Sequence, residues 1–178
     1  ESRTYRDNEI VVTAQKRSER LNDVAEAVTA FTSETRQIIG ISDLGDIAQF
    51  TPGLSYNAGS DRVFLRGIGR QTNTAGSDPG VATYVDGIYD SATTSIAGSD
   101  FFVDRVEILR GPQGTLYGRN SLGGAINAIS KRPTRELSIE GRATIANYEA
   151  YSIQAAVSGP VTDGLRVKLG GSWADQNK

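Results

Sequence analysis

"RGPQGTLYGRNSLGG", residues 110–124, holds five glycines and two arginines and no acidic side chain. A glycine-rich run flanked by arginine is one way to build a phosphate cradle, so its spacing decides between a nucleotide-binding fold and another use of glycine. The P-loop pattern requires Gly-Lys-Ser/Thr after four spacer residues, and the chain contains no Gly-Lys pair. The dinucleotide pattern requires G-x-G-x-x-G between a strand and a helix. Gly67 and Gly69 supply its first half, but Thr72 stands where the third glycine belongs. Gly111, Gly114, Gly118, Gly123 and Gly124 match neither spacing. What remains is a reading by packing. Arg110 ends an apolar strand, Gly111-Pro112 breaks it, and Leu116 and Tyr117 anchor the loop. Gly118 turns the chain, Arg119 and Asn120 offer donors, and Gly123-Gly124 lets the next strand pass close to another backbone. Such a segment suits a compact body fitted closely against enclosing walls.

A length of 178 residues suggests one domain, or one domain and part of another. The formal net charge of -2 gives no global basic footprint and argues against nucleic acid as a partner. Cysteine, histidine and methionine are absent, which excludes disulfides, thiolate zinc sites, haem ligation and Ser-His-Asp chemistry. No run approaches the ~18 apolar residues of a membrane helix, so any membrane role must come from strands or a partner. Asp86 and Asp90 could form an acid pair, but Asp86-Gly87 fits a turn equally well. The alternating pattern of a calcium loop is missing. No catalytic residue, metal site or cofactor is expected.

Ile10, Val11, Val12 and Thr13 favour extended backbone in a charged setting. They read either as the first strand of the domain or as a tethered peptide that adds to the edge of another sheet. "AVTAFT" (27–32) reads as a strand. "SETRQIIG" reads as a helix with Ser33 as N-cap and Gly40 at its end. "SDLGDIAQFTPG" reads as a second helix, capped by Ser42, with Leu44, Ile47 and Ala48 inward and Pro52-Gly53 as the stop. From Leu54 the texture changes to short β-rich runs, "LSYN", "RVFLRGIG", "VATYVDGIY", "RVEILR" and "GAINAIS", divided by polar loops. The tetrapeptide AGSD occurs three times at unequal spacing and reads as three polar turns. Arg66 and Arg110 each follow apolar strand residues, so partial burial is expected, and a buried arginine needs a carboxylate. Glu107 is a local candidate and a group outside this chain is another.

After Pro133 the pattern changes again. Leu137, Ile139, Gly141, Ala143 and Ile145 alternate with polar residues, as do Tyr151, Ile153, Ala155 and Val157, and then Leu165, Val167, Leu169 and Trp173. Three consecutive strands of about nine to eleven residues, apolar on one face, have the period and length of membrane β-barrel strands. A soluble antiparallel meander alternates too. The confinement of Arg, Lys and Glu to one face favours the barrel. "GPVTDG" and "NYEA" read as the turns, and Tyr148, Tyr151 and Trp173 lie near strand ends, where aromatic girdles sit.

"VEILRGPQGTLYGRNSLGGAINAISKRP" closely resembles the C-terminal signature of the plug domain of TonB-dependent outer-membrane receptors. "FLRGIG", "VATYVDGIY", "DLGDIAQFTPGL" and "EIVVTAQKR" resemble that family as well, in the family's order. The resemblance implies an α+β plug, a small mixed sheet with short helices, followed by antiparallel transmembrane β-barrel strands. It implies a periplasmic extension over residues 1–16, the plug over 17–133, and three strands of an incomplete barrel over 134–178. Glu9, Ile10, Val11, Val12, Thr13 and Ala14 resemble the TonB box, the segment that pairs with a strand of the TonB C-terminal domain. Arg66, Arg110 and Arg119, with Glu107, resemble residues of the plug–barrel contact. Loops at about 57–61, 71–78 and 89–99 would form the outward tip, which makes Asn57, Gln71, Asn73, Tyr89 and Asp90 candidates for contact with a small-molecule substrate such as a ferric siderophore. The implied setting is the outer membrane of a Gram-negative bacterium, with the plug and N-terminus toward the periplasm and lipid around the strands.

Receptors of this family continue for many more strands, so this chain is expected to be part of a longer receptor or one piece of a barrel completed by another chain. Two other classes stay open at this level: a structural subunit of an outer-membrane assembly, and a soluble glycan- or peptide-binding β-rich module.

Overall fold

The computed structural model describes residues 10–13, 16–17, 19–24, 26–72, 78–90, 102–146 and 150–176. The chain divides into two units between Ser130 and Lys131.

The first unit begins with two short antiparallel strands, β1 (Val11–Val12) and β2 (Glu19–Arg20). β3 (Ala27–Thr32), α1 (Ser33–Ile39) and α2 (Leu44–Phe50) follow. Then come β4 (Leu54–Asn57), β5 (Arg62–Leu65) and β6 (Ile68–Gly69), which form a three-stranded meander. β7 (Val81–Val85), β8 (Ile88–Asp90), β9 (Val103–Arg110), the single turn α3 (Gly114–Tyr117) and β10 (Gly124–Ser130) complete the unit. The main sheet has the order β3-β9-β10-β7-β8, in which β10 pairs parallel with β7 and antiparallel with β9. This is the mixed sheet with short helices that was expected.

Strand alternation gives the sheet two buried faces. On one, Phe31, Val81, Val106, Ile108 and Ile126 pack with Leu44 and Ile47 of α2 and with Leu54, Val63 and Leu65 of the meander. On the other, Ala82, Tyr84, Leu109 and Ala125 pack with Tyr117 of α3 and with Val12, while Ile10, Leu21 and Val24 lie against them.

Both helices start one residue away from the expected cap. Thr32, not Ser33, caps α1, its hydroxyl accepting from the Thr35 N–H at 3.1 Å. Asp43, not Ser42, caps α2 in a reciprocal box with Asp46, and Ser42 donates to the Asp46 carboxylate instead. In each place two good caps are adjacent, and the one directly before the first helical residue takes the role. Gly40 closes α1 at φ 81°, as expected.

The glycine pair of the opening stretch does what packing requires. A Cβ on Gly123 would lie 2.9 Å from Ile68 Cβ and 3.1 Å from the Leu65 carbonyl oxygen. Gly124, at φ 147°, would drive a Cβ into the Leu109 carbonyl. Asp86-Gly87, both at positive φ, forms the two-residue turn of the β7–β8 hairpin. The Asp86 carboxylate accepts from the Ser130 N–H at 2.8 Å and from its hydroxyl at 2.6 Å, which is a turn role and not an acid pair.

The second unit is a three-stranded antiparallel sheet of β11 (Ser138–Ala146), β12 (Ala150–Thr162) and β13 (Leu165–Gln176). Its register sets Ile139, Val157 and Leu169 side by side, and likewise Ala143, Ile153 and Trp173. These rows share one face, and Ile139 and Leu169 are 73% and 70% exposed. The opposite face carries Glu140, which meets Lys131 at 3.5 Å and Lys168 at 3.7 Å. The turn expected over residues 159–164 is shorter, only Asp163 and Gly164 separating the strands. β12 runs on through Pro160, where the register with β13 shifts, so the missing N–H falls at an irregularity rather than a regular rung. Tyr148 lies outside the described residues.

Candidate functional site

The N-terminal run that sequence left open between core strand and tethered peptide is folded onto the sheet. Val11 and Val12 pair with Arg20 and Glu19, and the Leu21 N–H donates to the Ile10 carbonyl at 2.9 Å. Val12 is 0% exposed, seated among Ala82, Tyr84, Leu109, Tyr117 and Ala125. Burying a valine contributes about 1.5–3 kcal/mol, so this one side chain is a main anchor for a strand only two residues long. Glu9 and Ala14 lie outside the described residues.

Beyond Val12 the anchoring is polar. Glu107, in the middle of β9, is 0% exposed. It accepts from the Thr13 N–H at 2.8 Å, from the Thr13 hydroxyl at 3.0 Å, and from Arg105 Nε at 2.8 Å. Arg105 also reaches Asp104 at 2.7 Å. A buried carboxylate is tolerated only when charge and hydrogen bonds compensate its lost hydration, and here both do. The Tyr117 hydroxyl donates to the Thr13 carbonyl at 3.3 Å, and the Tyr84 hydroxyl donates to the Tyr117 carbonyl. The rings of Tyr84 and Tyr117 meet edge to face with centroids 5.1 Å apart. Burial first, then the charge of Glu107 and the neighbouring Tyr84, push the Tyr117 hydroxyl up to about 12. Lys16 Nζ lies 5.7 Å over the same ring.

The pairing of Glu107 with Arg110 is corrected. Residues three apart on a strand point to opposite faces, so Glu107 turns toward Thr13 with Arg105 while Arg110 lies on the other side. Arg110 Nε is buried, and among the described residues it meets no hydrogen-bond partner. Arg66 is exposed rather than part-buried, because it occupies the β5–β6 turn at φ 53° beside Gly67 at φ 79°. Its Nη1 nevertheless comes within 3.5 Å of where a Gly111 Cβ would stand, which brings it alongside the strand end that carries Arg110. Arg119 is exposed after α3.

The candidate substrate residues lie on separate loops. Asn57 ends β4 and its Oδ1 accepts from the Ser60 N–H at 3.2 Å. Gln71 is exposed after β6. Tyr89 in β8 faces Tyr84 at 5.8 Å and meets Asn120 Nδ2 at 3.4 Å. Asp90 ends β8, its carbonyl accepting from the Thr83 hydroxyl. Asn73 lies outside the described residues. Among the described residues no group of three or more His, Cys, Asp and Glu gathers as a metal site.

Sequence reasoning missed the Thr13–Glu107–Tyr117 network. One signal was present: a glutamate between Val106 and Ile108, at a strand position where a buried apolar residue is expected. Its partner, 94 residues earlier, carried no local signal.

Residues 20–125 match the family model described as the TonB-dependent Receptor Plug Domain. The chain is 35% identical over 166 residues to the pesticin receptor of Yersinia pestis, covering 88% of this chain and 24% of that protein. It is 28% identical to the ferric-pyoverdine 358 receptor of Pseudomonas putida, covering 89% of this chain and 19% of that protein. Among solved structures, the ferric yersiniabactin uptake receptor of Yersinia pestis is 30% identical with a TM-score of 0.60, over 83% of this chain and 23% of that one. The ferripyoverdine receptor of the outer membrane of Pseudomonas aeruginosa shares the fold, with a TM-score of 0.73 at 23% identity over 93% of this chain and 22% of that one. The chain thus spans a quarter or less of each of these four proteins.

Proposed function

The chain belongs to the TonB-dependent receptor plug domain family, and from that premise we propose that it is the N-terminal part of an outer-membrane receptor that gates uptake of a scarce nutrient such as a ferric siderophore. The family is one of receptors and transporters rather than a class of enzyme. At rest the plug, through residue 133, blocks the barrel that residues 134–178 begin. Lipid covers the row of Ile153 and Trp173, and Glu140 with Lys168 faces the lumen. Arg66, Arg110 and Arg119 meet acidic groups of the wall. The unpartnered Nε of Arg110 supports that assignment, since a buried guanidinium donor left unpaired is costly. Asn57, Gln71, Asn73, Tyr89 and Asp90 contact the substrate from the outer side. Residues 9–14 dock the periplasmic TonB C-terminal domain by strand addition, and the energy for opening arrives through that partner, so no catalytic group is required.

The observation that carries the reading is β1 itself, a β-branched strand held by two paired residues at the N-terminal side of a plug fold. The test is retention of the full-length, substrate-loaded receptor on immobilised TonB C-terminal domain. Wild type is retained and Val11→Pro is not, because proline lacks the donor that a pairing strand uses. Equal retention of a Val11→Pro receptor that still binds substrate would overturn the docking role.

A further inference from the structure

We propose that Glu107 is a clasp that keeps the docking strand closed: its buried carboxylate, together with the Tyr117 hydroxyl, occupies the main-chain N–H and C=O of Thr13 that an incoming strand would need. The proposal rests on the docking role assigned to residues 9–14 and names the device that regulates it.

Successive residues of a strand direct their N–H and C=O groups to opposite edges. The Ile10 carbonyl is bonded to Leu21, so Ile10 and Val12 face β2. Val11 and Thr13 therefore face the other edge, the one open to strand addition. At Thr13 that edge is filled. Glu107 takes the N–H at 2.8 Å, and the carbonyl accepts from the Lys16 N–H at 2.9 Å and from the Tyr117 hydroxyl at 3.3 Å. One edge of β1 is thus closed by β2, and the other is closed at Thr13 by a carboxylate, a turn amide and a phenol. The Thr13 hydroxyl adds a second bond to Glu107, which a residue without a side-chain donor could not make. Arg105 fixes the carboxylate from its own strand at 2.8 Å, so the acceptor is held in place when Thr13 leaves. A partner can bind only the fraction of molecules in which Thr13 has left, and its apparent affinity falls by that fraction.

The clasp is tested in the full-length receptor with two variants. Glu107→Gln keeps the shape and removes the charge, and Arg105 retains Asp104. Thr13→Val keeps the backbone and removes the hydroxyl. Hydrogen exchange over residues 10–13 is measured without partner, and affinity for the TonB C-terminal domain is measured without substrate. Weakening one charge-assisted hydrogen bond is expected to speed exchange and tighten partner binding by about tenfold in each variant. Unchanged exchange in both variants would overturn the clasp. Faster exchange in a receptor that binds no TonB domain in any form, wild type included, would leave the clasp standing and overturn the docking reading instead.

Discussion

Glu107 and Thr13 are 94 residues apart in sequence, and the glutamate carboxylate accepts from both the amide and the hydroxyl of the threonine. The contact joins the centre of the main sheet to the residue that follows β1. Because Glu107 also holds Arg105, its complete removal takes one of two carboxylates from a mostly buried cation and leaves the two Thr13 donors without their acceptor. Glu107→Ala should destabilise the plug by about 3 kcal/mol, and Glu107→Gln by clearly less. Calorimetric unfolding of the two purified variants against wild type decides it.

Gly124 allows no side chain. Its φ of 147° and the nearby Leu109 carbonyl both exclude a Cβ. Gly124→Ala should cost about 3 kcal/mol through strain and overpacking, visible as loss of folded receptor or a lowered unfolding midpoint. Gly114→Ala, where a Cβ would meet nothing within 4 Å, serves as the mild comparison.

Tyr117 gives the plug an alkaline limit. Its hydroxyl is pushed up to about 12 when folded and returns to its ordinary value near 10 when unfolded. Between those values only the unfolded chain ionises, so stability is complete below pH 10 and is lost as pH rises toward 12. Unfolding followed across that window should show the decline, and Tyr117→Phe should flatten it.

The capping box of α2 rests on Asp43, which accepts from the Asp46 N–H at 2.9 Å. Asp43→Ala should lower stability by about 1 kcal/mol, read from a denaturant midpoint. The Ser42 N–H, then its hydroxyl, hold the Asp46 carboxyl below its ordinary range, so that contribution is present above pH 3.8 and fades as pH falls further. An Asp46→Asn receptor should lack this acid dependence.

The two faces of the β11–β13 sheet should respond differently to charge. Ile153→Arg, on the apolar face, should cost about 2–4 kcal/mol of stability in a bilayer, and Thr144→Arg on the polar face should cost little. Refolding into vesicles of defined lipid measures both.

Much of this was legible because it is local. Asp86-Gly87 specifies its turn wherever it lies, and alternation such as Ile139, Gly141, Ala143 needs no partner to be seen. Helix starts shifted by one residue because Thr32 and Ser33, like Ser42 and Asp43, are chemically interchangeable as caps, and only the place where the first helical turn begins distinguishes them. The two-residue turn at Asp163 and Gly164 was hidden by Pro160, which reads as a breaker unless a neighbouring strand can shift register. The site was least legible. Arg110 and Glu107 look like partners in sequence, and only the two-residue period of β9 separates them. Thr13 finds Glu107 through tertiary packing alone.

The hairpin of β1 and β2 also has a direction. Its open end is the Ile10–Leu21 rung, followed by Val11–Arg20 and Val12–Glu19. A pull on the chain preceding Ile10, resisted by the body that begins after Leu21, loads these rungs one at a time, as a zipper opens. It does not shear them together. The strand therefore yields rung by rung to a modest tension, and the load reaches the Thr13–Glu107 bond last.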